Sequence, residues 1–297
     1  MSKDLMISYA QNREDVLLNR LFPEGYTGFY IDVGANHPLN GSVTAHFSRA
    51  RGWRGINIEP TGLYHDLCRE RPRDITLNCA VSNVAGESIF YEFPPDTGVS
   101  TFDRENANLA ARKLGLPPRE IPVPVMTLAE ICRQHAPPCI DLLSIDVEGH
   151  ERQVIEGADW RAFRPRVLVI EATEPNSPIT THDRWEPLLL EAGYLFATFD
   201  GLNRYYVRRE EPELATQLQV PVNVLDAYVP IRELRAVEEA QELQVRLATV
   251  ESLGPLTLAI ARRLNRLEQR FPGLHRRLCR LLGRQPRGFA ANSSPTP

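Results

Sequence analysis

This sequence has little to staple it covalently or to carry it across a membrane. Its 297 residues include only five cysteines, at 68, 79, 132, 139 and 279. The number is odd, the spacing irregular and no pair reads CxxC, which argues against a disulfide scaffold and a cysteine metal site and fits a reducing compartment. No run approaches the roughly twenty apolar residues of a membrane-spanning helix. The opening Met1-Ser2-Lys3-Asp4-Leu5-Met6 has no apolar core of signal-peptide length. The expected location is cytoplasmic, and no internal repeat is visible.

A large net charge is also missing, but the total of −4 hides an asymmetry. Between Pro255 and Gly288 nine arginines face a single acid, Glu268, so this stretch carries +8 and the remainder −12. An acidic body repels a phosphate backbone, which excludes nucleic acid as the expected partner. The basic tail suits an anionic surface or partner, and a peripheral membrane position is the corresponding expectation. A solvated helical face is the alternative. With 42% hydrophobic and 24% charged residues the rest is ordinary globular material.

What is present is an alternation of apolar runs and amphipathic segments. Residues 8–22 are predicted as a helix, with Val16, Leu17, Arg20 and Leu21 near one face. Strands are predicted at 29–33, 54–58, 75–81, 88–93, 140–146 and 166–171, and helices at 42–52, 63–69 and 185–192. Thr127 with Glu130 three residues on predicts a capping box for another helix, and a further one runs to about Glu156. Residues 94–122, punctuated by proline and glycine, are predicted as an irregular binding loop. Runs 194–199 and 204–207 around Asp200-Gly201-Leu202-Asn203 form a hairpin. Strand and helix in alternation predict an α/β fold with a mostly parallel sheet and a C-terminal antiparallel hairpin. That domain covers 1–230. Residues 231–285 form a helical, partly basic amphipathic extension, with leucines at 243, 247, 253, 256, 264 and 267, and 286–297 a tail expected to be disordered.

The chemistry concentrates where strands end in acids. Phe29-Tyr30-Ile31-Asp32-Val33 runs into Gly34-Ala35-Asn36, and Gly55-Ile56-Asn57-Ile58 runs into Glu59-Pro60. In an open α/β sheet this places Asp32, Gly34 and Asn36 at a ligand crevice and Glu59 where it can accept hydrogen bonds from a ribose. The third glycine of a dinucleotide fingerprint is missing, so a pyrophosphate turn is disfavoured. A ligand with ribose and adenine but no phosphate fits better, and S-adenosylmethionine is the commonest. An acid before Pro60 that merely caps its own turn is the alternative for Glu59.

Several blocks in order resemble the FkbM family of S-adenosylmethionine-dependent methyltransferases. They are Tyr9-Ala10-Gln11-Asn12-Arg13-Glu14-Asp15, Phe29 to Asn36, Gly52-Trp53-Arg54-Gly55-Ile56-Asn57-Ile58-Glu59-Pro60, Asn78-Cys79-Ala80-Val81-Ser82, Ile145-Asp146-Val147-Glu148-Gly149-His150-Glu151, and Arg164-Pro165-Arg166 leading to Val169-Ile170-Glu171-Ala172. The resemblance spans roughly residues 8–228 and leaves the C-terminal helices uncovered. It implies the class I, Rossmann-like methyltransferase fold and O-methylation of a carbohydrate, glycoconjugate or polyketide-type hydroxyl. It also implies that Asp32, Gly34 and Asn36 flank the amino-acid end of the cofactor, Glu59 takes the ribose, Ala80 and Ser82 lie near the adenine, and Gln11 and Glu14 come from a cover over the site. The first block departs from the family in reading Asn12-Arg13 where a glycine commonly precedes the acid.

Methyl transfer to an alcohol needs an aligned nucleophile and a group, base or metal, that takes its proton. The candidates are Asp146, Glu148, His150, Glu171 and His182, with His182 or His150 first and Asp146 next. Asp146 and Glu171 end neighbouring strands and could together hold Mg2+, which prefers carboxylate oxygen. Both histidines have a capping role as the alternative. Ser100, Thr101 and Arg104 are the acceptor-side candidates, and Trp53 and Trp185 are assigned to the core. Three functions follow: methylation of a sugar or glycoconjugate hydroxyl, methylation of a polyketide or peptide product, and a non-catalytic assembly module acting through residues 231–285, on a membrane or a second copy of the chain.

Overall fold

The structure is a computed structural model that describes residues 5–94, 98–175, 177–252 and the isolated positions 262, 263, 266, 269 and 270. The chain divides into two compact units, Met1–Leu234 and Arg235–Pro297.

The first unit is built on seven strands. In chain order these are β2 (Phe29–Val33), β3 (Arg54–Ile58), β4 (Ile75–Leu77), β8 (Leu142–Ile145), β9 (Val167–Glu171), β10 (Tyr194–Phe199) and β11 (Asn203–Arg208). Around them lie β1 (Met6–Ser8), β5 (Ala80–Val81), β6 (Gly86–Glu92), β7 (Arg119–Met126) and β12 (Tyr228–Pro230). The helices are α1 (Glu14–Asn19), α2 (Ala45–Arg49), α3 (Tyr64–Glu70), α4 (Arg104–Leu114), α5 (Leu128–His135), α6 (Glu151–Glu156), α7 (Glu186–Glu191), α8 (Pro212–Leu218) and α9 (Ile231–Ser252). Across the large sheet the order is β10-β11-β9-β8-β2-β3-β4. The five strands from β4 to β9 pair in parallel, and β11 is antiparallel to both its neighbours. This is the class I methyltransferase arrangement, with the expected hairpin β10-β11 at one edge.

The runs are apolar almost throughout because both faces of the sheet are covered. Ile31, Val33, Leu143, Ile145, Leu168 and Ile170 pack on one side with Ile131, Val154, Ile155 and Leu189. Alternate residues Tyr30, Leu142, Val167 and Val169 pack on the other with Leu17, Leu18, Phe47 and Leu214. Trp53 and Trp185 are fully buried, as assigned.

Four elements differ from the sequence expectation, each for a local reason. The helix expected over 8–22 shrinks to α1, because the Asp15 carboxylate gathers Ser8 Oγ (2.7 Å), the Tyr9 N–H (2.7 Å) and the Ala10 N–H (3.3 Å) into a turn ahead of it. The turn passes through Arg13 at φ +67°, a left-handed conformation in the position where family members commonly carry glycine. The 42–52 helix is likewise only α2, since the Ser42 side chain is engaged elsewhere. The strand expected over 75–81 is two strands in two sheets. Asn78 breaks it by donating Nδ2 to the carbonyls of Glu59 (3.0 Å) and Pro60 (3.2 Å).

The largest difference is 94–122, expected as an irregular loop. It contains α4 and the start of β7, part of a small sheet of order β5-β7-β6 inserted between β4 and β8. Asp103 caps α4 by accepting from the N–H groups of Glu105 and Asn106, both at 2.8 Å, and Gly115 closes it at φ +69°. The prolines and glycines thus flank the helix. Pro122 and Pro124 fit within β7 because β5 pairs only with Val125 and Met126, leaving the preceding edge open. The capping box of α5 forms as the Thr127-Glu130 pair predicts.

In the second unit α9 continues to Ser252, with Leu243 and Leu247 both exposed and Glu242 3.9 Å from Arg246. The remaining apolar positions expected beyond Leu247, and the tail 286–297, lie outside the described residues. Among the described residues no helix is long and apolar enough to cross a membrane.

The reversal of strand order lies between β2 and β8, where Gly34 and Asp146 come together. A Cβ on Gly34 would stand 1.8 Å from the Asp146 carbonyl oxygen, and Gly34 has φ +82°. Gly34→Ala is expected to destabilise the domain by roughly 3 kcal/mol, combining left-handed strain with overpacking against backbone. Urea denaturation with an unchanged m-value checks this, and a loss below about 1 kcal/mol contradicts it.

Candidate functional site

At the carboxyl ends of β2, β3 and β8 opens a cavity of about 730 Å3. The large sheet supplies its floor and the inserted sheet its opposite wall. Among the described residues six acids line it, Asp32, Glu59, Asp66, Glu92, Asp146 and Glu148, against one cation, Arg119. Such a cavity repels phosphate and favours a ligand bearing positive charge.

Glu59 is the most tightly held of these. Its Oε2 accepts from the Asn36 N–H at 2.8 Å, and Oε1 accepts from the Thr61 N–H at 2.8 Å and Thr61 Oγ1 at 2.5 Å. Burial raises its pKa, opposed by these hydrogen bonds. The Asn36 bond also fixes a left-handed residue, φ +47°, in the turn after β2. The Asn36 Oδ1 atom is buried without a partner. Asp32 accepts from Thr44 Oγ1 at 2.5 Å, and burial raises its pKa against the opposing influence of Arg71.

Of the cofactor candidates, Gln11, Asp32, Gly34, Asn36, Glu59 and Ala80 line the cavity. Glu14 does not. Its two oxygens accept from the Asn12 N–H (2.7 Å) and Asn203 Nδ2 (2.8 Å), so it docks the N-terminal segment on the β10-β11 turn. Burial pushes its pKa up to about 8. Ser82 lies outside the lining as well, with its hydroxyl 3.0 Å from His150 Nε2. Cys79, Val81, Thr61 and Leu63 line the cavity beside Ala80 and were not singled out from the sequence. Their position directly after strand-end residues was the available signal.

The acids beyond Gly34 form a second group. Asp146, open to the cavity, hydrogen-bonds the buried Glu171. One oxygen from each of Asp146, Glu148 and Glu171 falls within 4.8 Å of the others. Glu148 Oε2 and Glu171 Oε2 are buried without partners. Desolvation raises the pKa of Asp146, Glu148, Glu151 and Glu171; repulsion from Asp146 adds to it at the three glutamates, whereas at Asp146 the hydrogen bond with Glu171 opposes the rise and Asp32 adds to it. Glu148 stands at φ +54°, its carbonyl clamped by Thr101 Oγ1 (2.9 Å) and Asn106 Nδ2 (3.1 Å). Strain of this kind persists only where the surroundings hold it.

Neither histidine lines the cavity. His150 occupies the N-cap position of α6 without a side-chain cap bond. It packs 5.4 Å from the Phe102 ring, and burial lowers its pKa, opposed by the Asp103 charge. His182 sits on a short 3-10 turn with Nε2 3.2 Å from Asp183 and Nδ1 buried without a partner. Of the sequence candidates for a base, Asp146 and Glu148 line the cavity and the two histidines do not. Ser100 lines the cavity. Thr101 is buried on the Glu148 clamp, and Arg104 is an exposed residue of α4 outside the lining. The wall instead offers Phe90, Phe93, Phe102, Leu116 and Pro117, none singled out from the sequence because the inserted sheet was not recognised.

Residues 32–196 match the family model described as "Methyltransferase FkbM domain". Among curated proteins none matches this sequence. Solved structures give weak similarity. Precorrin-6y C5,15-methyltransferase from Geobacter metallireducens GS-15 is 12% identical, with 70% of this chain and 92% of that one covered and a TM-score of 0.37. The 1,6-didemethyltoxoflavin-N1-methyltransferase of Burkholderia thailandensis is 15% identical over 67% and 77%, with a TM-score of 0.34. The tRNA methyltransferase TrmK of B. subtilis is 11% identical over 89% and 96%, also at 0.34. Scores this low carry no argument about activity. The family match covers more than half of the chain and contains both acidic groups, and on that ground the chain belongs to the FkbM family of S-adenosylmethionine-dependent methyltransferases.

Proposed function

We propose that this methyltransferase transfers the methyl of S-adenosylmethionine to a hydroxyl of a carbohydrate or glycoconjugate. One observation carries the reading: a cavity of about 730 Å3 whose lining sets six carboxylates against one arginine and ends in an aromatic wall. The sulfonium and ammonium of the cofactor give it net positive charge, which an acidic cleft favours. Asp32 and the unpartnered Asn36 Oδ1 suit the ammonium, and Glu59 retains lone pairs for the ribose hydroxyls. The opposite wall combines Phe90, Phe93 and Phe102 with Ser100, Glu92 and Arg119. Rings that cover C–H faces beside a few polar groups suit a sugar.

In this reading Asp146 meets the acceptor hydroxyl. Its pKa is raised by burial, so it is a better base than an ordinary aspartate, and the hydrogen bond from Glu171 stabilises its carboxylate and orients it. The cluster of Asp146, Glu148 and Glu171 also has the donor set for Mg2+: three carboxylates within 4.8 Å and two buried oxygens without partners. Bound there, the cation would lower the cost of gathering these charges and make an acceptor hydroxyl more acidic.

Titration calorimetry on the full chain is expected to show S-adenosylmethionine binding, weakened roughly 10- to 100-fold by Glu59→Ala and lost in the double variant with Asp32→Ala. Undiminished binding in the double variant contradicts the site. With labelled S-adenosylmethionine, label should appear on sugar hydroxyls; transfer only to macrolide-type acceptors replaces the carbohydrate reading. Mn2+ titrated in spin-resonance experiments should bind the wild type and be weakened in Glu171→Gln, and no bound Mn2+ removes the metal. By nuclear magnetic resonance His150 should titrate below the ordinary histidine range, and further below in Asp103→Asn because the opposing carboxylate is gone.

A further inference from the structure

Behind the cavity floor lies a charge that the reaction does not use. Arg71, at the end of α3, is 2% exposed, among the largest fully buried side chains. Its guanidinium donates only to neutral oxygens: Nη1 to Thr44 Oγ1 (2.7 Å), Asn57 Oδ1 (2.9 Å) and Tyr30 Oη (3.4 Å), and Nη2 to the Pro38 carbonyl (2.6 Å) and Ser42 Oγ (2.6 Å). Its Nε is buried without a partner. Burying a cation against neutral partners is unfavourable unless a counter-charge lies close. Here two carboxylates supply it, each one hydroxyl away: Thr44 Oγ1 accepts from Arg71 and donates to Asp32 at 2.5 Å, and Tyr30 Oη accepts from Arg71 and donates to Asp74, of which only Asp32 lines the cavity.

The two ends of this relay matter for the cavity. Asp32 lines it, and so do Asn40, Gly41, Ser42 and Val43, the segment that Nη2 holds at Pro38 and Ser42. A single side chain therefore fixes both the carboxylate and the loop facing it. A short packing contact could hold the loop, but only a cation of this shape can hold it and also offset the Asp32 charge.

We propose that Arg71 is a positioning residue for S-adenosylmethionine, acting through Thr44 on Asp32 and through Pro38 and Ser42 on the loop 38–43. This rests on the cofactor reading of the cavity. Arg71 touches no reacting atom. It offsets the charge of Asp32 against the burial that raises its pKa, aims the carboxylate where the ammonium of the cofactor would sit, and keeps the loop from relaxing into the cleft.

The test compares cofactor affinity in variants that remove the relay with variants that keep it. By calorimetry with S-adenosylmethionine on the full chain, Arg71→Met should weaken binding roughly 10- to 100-fold and Thr44→Val roughly 10-fold, the range for loss of charge-assisted hydrogen bonds. Thr44→Ser keeps the hydroxyl and should stay within about threefold of the wild type, although it also loses a buried methyl. Wild-type affinity in folded Arg71→Met or in Thr44→Val overturns the proposal, as does equal weakening by Thr44→Ser and Thr44→Val. Should Arg71→Met fail to fold, the Thr44 pair decides alone. Hydrogen exchange of residues 38–44 in the unliganded chain separates the clamp from the cofactor reading. Arg71→Met should speed exchange there, because it removes the donors to Pro38 and Ser42, and Thr44→Val, which leaves both donors in place, should not. A wild type that binds no cofactor sinks the reading of the cavity, and unchanged exchange in folded Arg71→Met sinks the clamp.

Discussion

Carboxylates crowded out of water repel one another, and the site is organised by how that repulsion is contained. The sheet reverses its strand order between β2 and β8, which leaves a cleft at their carboxyl ends. Strand-end acids are thereby delivered to one place: Asp32 from β2, Glu59 after β3, Asp146 after β8 and Glu171 from β9. Among the described residues these strand-end acids make no direct ion pair, unlike Glu92, which Arg119 meets at 2.5 Å. Asp32 is answered by Arg71 through a hydroxyl, Glu59 by two backbone N–H groups and a threonine, and Glu151 by the N–H groups of Val147 and Gly149. Donors of this kind leave one face of each carboxylate available, which a bidentate arginine would cover.

The same cleft sets the backbone. Gly34 must pass the Asp146 carbonyl closely, Asn36 is left-handed on one side and Glu148 on the other. Each of the two side-chain-bearing residues is fixed by a hydrogen bond from a different part of the chain. Asn36 gives its N–H to Glu59, and the Glu148 carbonyl receives Thr101 and Asn106 from the inserted unit. Local conformations that are unfavourable alone are therefore stable only once sheet and insertion are both in place.

Much of this was legible in the sequence. Apolar runs ending in Asp32, Glu59, Asp146 and Glu171 located the strands and the cleft because burial on two faces and termination by an acid are both written locally. The missing third glycine disfavours a pyrophosphate turn on the same local evidence. What escaped depended on partners distant in sequence. Arg71 resembles any helix-terminal arginine until the turn at 38–44 folds over it. Glu14 reads as a cover residue until Asn203, 189 positions away, takes its oxygen. The inserted sheet hid behind prolines that an open edge tolerates. His150 and His182 have the residue type suited to a base, but only the fold shows that neither lines the cavity while Asp146 does, and that His150 packs under Phe102.

The two acidic groups differ in a way that bears on their work. Around Glu59 and Asp32 hydrogen bonds are already made, so their orientation is set before a ligand arrives and little freedom is lost when it does. Glu148 and Glu171 each keep a buried oxygen with no partner. A buried unsatisfied carboxylate oxygen is unfavourable in the resting fold, and it persists only where removing it would disturb more than it relieves or where a proton or cation completes it. The first group therefore resembles a finished binding surface and the second an unfinished one. Asp146 lies between them, hydrogen-bonded to Glu171, open to the cavity and electrostatically coupled to Asp32. Charge change at Asp146 is felt on both sides, by Asp32 in one group and by Glu148 and Glu171 in the other, so the two acidic groups titrate as one coupled system.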